Sequence, residues 1–485
     1  MEGNRSGGQG AVRSGLLTGI STAAVSGSAA VLGVILARKF GHGVKTDGFF
    51  AAYGVYLALV LVAGSLRVLV LPRFVNARRE DRLGAEVGTW AAALALPLAA
   101  VTVLAIAWPH GIASALTSNP DAQDQAAQLL PWIVPSAVMQ IYGGLVASAL
   151  AALDDYQWAA FGFAFGSVAG VVLTLALVDH GVVSFGWGLA LNGLLSLGIP
   201  LAALLVRGAV GRPDRRFGGR LLELCEGVAL PFALQGLYLV GYRFASGLGP
   251  GRATTFSYAY LIASFLVAIT ASSVALVTTV PFAREGSSPP RVARHVVAIS
   301  WLSLAFVAAA AGVFALVSEE VVRRILGSSY GGGTGTELGR LVLYLAPWMV
   351  VSVAVTVTYP LVFVRGRARW LPPIAGAALL AQALLAWAGR GAFGLGGVAA
   401  ALAVTTALVL GALLVRLGAL GRVVRGLAVA AAVCGGVGVL AFGLPKLLVG
   451  PYAAAVAGLL AYAVVLAVWR PAGLRQAWAY VRALQ

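Results

Sequence analysis

The sequence predicts an all-α polytopic membrane protein of about 14 transmembrane helices, built as two parallel six-helix lobes plus two extra C-terminal helices. Three observations support this fold class. First, 60% of the 485 residues are hydrophobic and only 11% are charged; soluble domains run at roughly 45–50% apolar and about 25% charged. Mean hydropathy is +0.91. Second, apolar runs recur along the whole chain at the roughly 20-residue length that a helix needs to cross a hydrocarbon core about 30 Å thick. Third, a stretch near the start returns 208 residues later without a gap.

In chain order, spans are expected near residues 15–37, 48–71, 87–108, 128–151, 158–178, 184–206, 223–246, 255–281, 294–317, 340–363, 371–388, 393–416, 424–443 and 450–469. The runs are continuous rather than alternating, which excludes a β-barrel. "MEGNRSGGQGAVRSG" at the start is expected as a short disordered cytoplasmic tail, because the apolar run after it is too long for a signal-peptide core and lacks a small-residue exit. The longest connection, 318–339, reads "SEEVVRRILGSSYGGGTGTELG" and is expected as a turn, so no folded soluble domain is expected between spans. The expected organisation is a cytoplasmic tail (1–14), an N-lobe of spans 1–6 (15–206), a cytoplasmic linker (207–222), a C-lobe of spans 7–12 (223–416), and spans 13 and 14 with a cytoplasmic tail (417–485). Cys225 and Cys434, the only cysteines, fall in or beside apolar runs and read as small buried hydrophobes.

The formal net charge of +17 would suggest nucleic acid in a soluble protein, but in an apolar chain its distribution decides. With the N-terminus in the cytoplasm, cytoplasmic segments hold 23 Lys/Arg and external segments nine, while Arg67 and Arg243 lie within spans. The positive-inside rule therefore places both termini in the cytoplasm. The expected location is a bacterial cytoplasmic membrane, with membrane lipids and no nucleic acid as partners.

"ARKFGHGVKTDGFFAA" (37–52) aligns with "ASGLGPGRATTFSYAY" (245–260): Ala37, Gly41, Gly43, Thr46 and Ala51 recur as Ala245, Gly249, Gly251, Thr254 and Ala259. Each following span ends in proline and basic residues, "VLVLPRFVNARRE" at 68–80 and "VTTVPFAREG" at 277–286. Six spans per copy is an even number, so both copies start on the same side and the repeat is parallel. Two such lobes, with Pro131, Pro135, Pro231, Pro347 and Pro360 as hinge prolines inside helices, fit an alternating-access transporter. In the turn itself, Gly41 and Gly43 permit chain reversal. Thr46 or Asp47 can cap span 2; Asp47 reads either as that cap or as a gating or ion-coupling acid.

"FGHGVKTDGFFAAY" resembles the F-G-x-G-x-x-x-D-x-F-x-x-A motif after the first helix of the MviN/MurJ-type lipid II flippases, a branch of the multidrug/oligosaccharidyl-lipid/polysaccharide (MOP) flippase superfamily. "VLG" at 31–33, "AGSLRVLVLP" at 63–72 and "SYAYLIASFLVAITASSVALVTTVP" at 257–281 are similar to that family's first, second and eighth helices. The resemblance implies a flippase for an undecaprenyl-diphosphate-linked saccharide, either a lipid II-like peptidoglycan precursor or a polysaccharide repeat unit. Cell-envelope glycosyltransferases or a polymerase are the implied protein partners. The family carries cavity-lining charges where this chain has Ala30, Leu36, Leu261 and the Ala63–Gly64 pair.

A diphosphate head group in mid-membrane needs cationic donors. Span 8 carries a small or polar stripe of Ser257, Tyr260, Ser264, Ala268, Ala271, Ala275 and Thr279, and span 2 a matching one of Ala52, Tyr56, Val60, Ala63 and Arg67. The candidate substrate-binding residues are thus Arg67, Arg243, Asp47, Tyr56, Tyr260 and Ser264. Both arginines read either as cavity cations or as side chains that snorkel to head groups. Gln140, Asn192 and Gln235 are helix–helix glue or ligands, and Gly162, Gly166 and Gly170 form a close-packing face.

No catalytic residue, metal site or cofactor is expected. His42, His110, His180 and His295 are scattered, Asp154–Asp155 reads as a turn, and no Walker motif is present, so an ion gradient or the membrane potential would drive transport. The competing readings are a drug/cation antiporter, which would need membrane-embedded carboxylates in the N-lobe, a transport-inactive cell-wall scaffold, and a membrane enzyme, which would need a large external loop.

Overall fold

A computed structural model describes residues 5–214, 217–268 and 288–482. Among these residues the chain forms helices, short 3₁₀ turns and loops, with no strand. It divides into two compact units, Met1–Leu239 and Val240–Gln485. Twelve helices of the described residues are long and apolar enough to cross a membrane. Helix α13 below joins two expected spans in one element, and expected span 8 runs on into residues outside those described.

The first unit contains α1 (Arg5–Phe40), α2 (Val44–Arg79), α3 (Leu83–Ala107), the short α4 (Pro109–Leu116), α5 (Pro120–Ala152), α6 (Gln157–Ala176), α7 (Val183–Val206) and most of α8 (Phe217–Ser246). Small residues set how closely these helices approach. A Cβ on Gly48 of α2 would lie 2.4 Å from Gln125 Cβ and 2.8 Å from the Ala122 carbonyl of α5, and further along the same pair one on Gly144 would lie 3.2 Å from Ala63 Cβ. The glycine face of α6 behaves as its spacing predicts: Gly162 meets Pro200, Gly166 the Asn192 carbonyl and Ser196, and Gly170 the Gly188 carbonyl, all on α7. Backbones at that distance gain dispersion contacts that Leu-sized side chains would prevent. Asn192 joins three helices, since its Oδ1 accepts from Ser196 Oγ at 3.0 Å, Gln140 Nε2 at 3.3 Å and Ser167 Oγ at 3.5 Å. Gln140 and Asn192 are therefore helix–helix glue.

Most of α8 groups with the first unit for a physical reason. Glu223 pairs with Arg73, Gly227 packs on Leu69, and Gly54 of α2 sits against Tyr238 and Leu239. The 207–214 segment is also held down, with the Gly211 N–H donating to the Gly84 carbonyl at 3.0 Å and the Asp214 N–H to Thr89 Oγ1 at 2.8 Å.

The second unit contains the end of α8, then α9 (Arg252–Val267), α10 (Pro289–Leu326), α11 (Gly333–Tyr344), α12 (Ala346–Val364), α13 (Leu371–Leu417), α14 (Leu420–Lys446), α15 (Pro451–Trp469) and α16 (Ala472–Arg482). Within α13, Gly394 at φ 56° and ψ −133° breaks the helical path at the start of the second of the two expected spans, 393–416. The repeated turn keeps its first glycine and its buried small residues in both units, while its second glycine differs, extended at Gly43 (φ 169°) and left-handed at Gly251 (φ 78°). Gly41 and Gly249, related by the 208-residue offset, have φ of 69° and 124°, left-handed values suited to glycine. Thr46 and Thr254 are both fully buried, as are Ala51 and Ala259.

Four local expectations are corrected. Helix α1 begins at Arg5, inside the segment expected as a disordered tail, because extending an existing helix costs far less than nucleating one. The 318–339 stretch is mostly helical: α10 runs to Leu326 and α11 starts at Gly333, where Gly335 and Gly339 let α11 lie on Glu319 and Ser318. Pro347 is in the first turn of α12 rather than inside a helix, a position where its missing N–H costs nothing. Cys225 is exposed beside exposed Leu221 and Leu222, whereas Cys434 is buried.

The α2–α5 contact gives a paired test. Gly48→Ala should destabilise the protein by about 1–3 kcal/mol through overpacking. Gly64→Ala in the same helix, with nothing within 4 Å of its added Cβ, should be neutral or stabilising. Thermal unfolding of both variants in detergent distinguishes them; equal melting temperatures would refute the close contact.

Candidate functional site

Helix α2 carries three of the expected site residues. At its start, Thr46 Oγ1 accepts from the Gly43 N–H at 3.1 Å and donates to the Gly43 carbonyl at 2.8 Å, so the threonine ties off the helix end. Asp47 follows in the first turn and is 2% exposed, the one buried carboxylate among the described residues. The helix N-terminus favours its negative charge there. Beyond it, Phe49, Tyr53 and Tyr56 stack in series with ring centroids 5.2 and 5.5 Å apart. On α5, Ser136 Oγ donates to the Leu189 carbonyl of α7.

The Ala52–Arg67 stripe therefore has two parts. Ala52 and Tyr56 are buried, and Ala63 packs on Gly144, so this stretch is an interhelical contact face. Arg67 is exposed, with no hydrogen bond or ion pair among the described residues. Twenty residues of continuous helix separate Asp47 from Arg67, about 30 Å at 1.5 Å per residue. The two cannot act on the same ligand atoms.

In the second unit, Tyr260 is buried against Trp348 with ring centroids 5.1 Å apart. Ser264 Oγ donates back to the Tyr260 carbonyl at 2.6 Å and the Leu261 carbonyl at 3.2 Å, which satisfies a hydroxyl inside a helix locally. Ala271, Ala275 and Thr279 of the same stripe lie outside the described residues. Arg243 is half-buried near the end of α8 and experiences the like charge of Arg390 from α13, whose guanidinium lies 5.3 Å from the Phe244 ring centroid. Sequence reading did not single out Arg390. The spacing gave no signal, because α8 and α13 meet only in three dimensions.

A charged cluster in the first unit also escaped the sequence reading. Arg73 pairs with Glu223 at 2.7 Å, and Arg220 bridges Glu86 at 2.8 Å and Glu223 at 3.4 Å. Trp90, fully buried, donates its Nε1–H to Glu86 at 3.0 Å and lies under Arg220, whose guanidinium is 5.6 Å from the ring centroid. Arg73, Glu86, Asp214 and Arg220 line a cavity of about 290 Å³. The cluster's arginines fall in the basic segments 72–86 and 207–222, and the carboxylates that neutralise them come from α3 and α8. The Asp154–Asp155 turn is likewise a pairing site, Asp154 with Arg78 at 2.6 Å and Asp155 with Arg207. No group of three metal-ligating side chains occurs among the described residues.

Among solved structures, "Lipid II flippase MurJ, inward closed conformation" matches with a TM-score of 0.74 at 14% identity, over 94% of this chain and 98% of that one. An inward-facing multidrug resistance MATE family transporter of the MOP superfamily matches with a TM-score of 0.63 at 14% identity, over 84% of this chain and 94% of that one. The chain has a MurJ-like MOP-superfamily fold. A MOP superfamily transporter from Pyrococcus furiosus shares that fold at a TM-score of 0.56 and 12% identity, over 87% of this chain and 96% of that one. The MatE family model matches residues 46–175, within the first unit. No curated protein matches the sequence. These neighbours are transporters and not enzymes, and with its long apolar helices the chain is a multi-pass membrane protein.

The charged cluster is testable. Arg220→Met leaves Glu86 and Glu223 without their shared cation and should cost about 1–3 kcal/mol of stability. Adding Glu86→Gln should recover part of that loss, because the unpaired charge is removed while the amide oxygen still accepts from the Trp90 Nε1–H. A melting-temperature cycle over the four proteins measures the coupling, and strictly additive effects would show that the pair contributes nothing.

Proposed function

We propose that this protein is a flippase translocating an undecaprenyl-diphosphate-linked saccharide across the bacterial cytoplasmic membrane, with both termini cytoplasmic and the N- and C-lobes alternating access. Two substrates fit this reading, a lipid II-like peptidoglycan precursor and a polysaccharide repeat unit. Cell-envelope glycosyltransferases or a polymerase would supply or consume such a substrate. The fold likeness to a structure titled as a lipid II flippase supports the class. The observation that carries the reading is Arg67, exposed on a long apolar helix without a partner among the described residues.

An arginine in hydrocarbon costs roughly 2.5–3.5 kcal/mol on insertion scales, and a diphosphate moved through low dielectric needs charge-assisted donors. Arg67 meets both needs at once if it faces the transport path. Arg243, with Arg390 beside it, is proposed as a second cationic position, and Tyr56 in the first unit and Tyr260 and Ser264 in the second as further polar or aromatic contacts for the substrate. Reconstituted flipping of a fluorescent polyprenyl-diphosphate saccharide should fall at least about tenfold in Arg67→Ala, the loss of one charge-assisted contact. Arg67→Lys should retain part of the activity, because the charge survives without the planar fork. Full activity in Arg67→Ala would place that side chain at the lipid head groups, and an inactive wild type would favour the scaffold reading.

A second reading is favoured by Asp47 and by the MatE match over 46–175. A buried carboxylate is what a cation-coupled exporter uses to exchange a proton or sodium ion for its cargo. Under this reading Asp47→Asn abolishes ion-driven efflux of a cationic dye from proteoliposomes. Under the flippase reading wild type shows no such efflux, and Asp47→Asn changes mainly the ion dependence of flipping.

A further inference from the structure

The two units treat their basic residues differently. In the first, Arg73, Arg78, Arg82, Arg207 and Arg220 are each paired with a carboxylate. In the second, the carboxylates of the described residues are Glu319, Glu320 and Glu337. Glu320 pairs with Arg323 and Arg324, and Glu337 with Arg252. Glu319 lies 25 residues beyond Arg294 along the continuous α10, about 37 Å away. The arginine-rich end of the second unit, around Arg294, Arg422 and Arg425, therefore has no anionic side chain of its own unit within reach among the described residues. None of these three arginines makes a hydrogen bond or ion pair there.

Those arginines line a built groove. Arg294 of α10, Arg422 of α14, and Gln476 and Tyr480 of α16 surround a cavity of about 830 Å³, whose floor includes Val297 and Ala298. Arg422 is shared with an adjoining cavity of about 530 Å³ that Arg425 also lines. The walls are fixed. Gly426 packs on Val297, Gly473 sits under the Trp301 indole where a Cβ would come within 2.3 Å, and Tyr480 Oη lies 3.1 Å from Nδ1 of buried His295. Helix α16 is amphipathic, with Trp478 54% exposed and the Arg482 guanidinium 5.3 Å from its ring centroid. That combination belongs at a membrane–water interface.

We infer that this groove binds the phosphate head group of an anionic phospholipid of the cytoplasmic leaflet, the side to which the charge bias assigns this end. Arg294 and Arg422 are the phosphate donors, with Arg425 beside them, Gln476 and Tyr480 are neutral partners, and the Val297–Ala298 floor meets the first acyl carbons. Basic pockets between helices on the cytoplasmic side suit phosphate-bearing head groups for this reason. The groove lies wholly in the second unit, so the inference does not depend on the substrate being flipped.

Native mass spectrometry of the detergent-purified full chain with added phosphatidylglycerol, cardiolipin or phosphatidylcholine tests it. Wild type should retain the anionic lipids and not phosphatidylcholine. Arg294→Gln/Arg422→Gln should reduce retention at least several-fold, and Arg294→Lys/Arg422→Lys should keep part of it. Arg367→Gln/Arg369→Gln, which removes equal charge elsewhere at the same end, should leave retention unchanged. Three results would overturn the inference: equal retention by wild type and the groove variant, equal loss in the Arg367/Arg369 control, or displacement of the lipid by millimolar inorganic phosphate, which would make the groove a site for a free anion. Each protein is compared at an unchanged melting temperature, so unfolding cannot mimic lost binding.

Discussion

In a bilayer, hydrocarbon surrounds every helix, so burying one leucine against another gains little over burying it in lipid, and association depends on how closely backbones approach. The rest of this structure follows from that constraint. Gly48 and Gly144 set the distance between α2 and α5, and Gly162, Gly166 and Gly170 that between α6 and α7. Close approach then leaves space only for short polar side chains. Ser136, Ser167, Ser196 and Gln140 meet on or around Asn192 because those backbones are near enough for their hydrogen bonds to reach. The small residues come first and the polar network depends on them.

Charge follows the same logic with the opposite sign. An ionised group near hydrocarbon needs either a partner or water. The first unit supplies partners, Glu86 and Glu223 for Arg220 and Arg73, and Asp154 and Asp155 for Arg78 and Arg207. Those pairs tie α2, α3, the α5–α6 turn and α8 together, and they explain why a connecting segment that composition marks as a linker is held down. Among the described residues, the carboxylates of the second unit lie on α10 near its C-terminus and on α11, and Arg294 at the other end of α10 has none of them within reach. Two units that share a repeated turn thus differ in how their described arginines are paired.

Much of the candidate site was legible residue by residue and little of it as a constellation. The 3.6-residue period aligns Tyr56 and Arg67 along α2, but in the structure Tyr56 is buried and Arg67 exposed. Periodicity could not show that Ala63, between them, faces Gly144 of α5, because which neighbour a helix face meets is a property of the packed chain. Asp47 was visible as a helix-start acid, but its burial was not. Arg390 carried no local signal and matters only because α13 brings it to Arg243 and Phe244.

The sequence by itself determined the apolar surroundings, the helix count to within the resolution of apolar runs, the duplicated glycine-containing turn, and the glycine faces along which helices close. Each of these is a local or periodic property, set by transfer free energy, steric freedom at glycine, or 3.6-residue spacing. The tertiary structure decided which arginines have carboxylate partners, where the chain divides into units, that the last residues form an amphipathic wall on α10, and that a groove lined by Arg294 and Arg422 exists. Those are relations between residues distant in the chain, and ion pairing and cavity shape depend on distances in space that no sequence interval encodes.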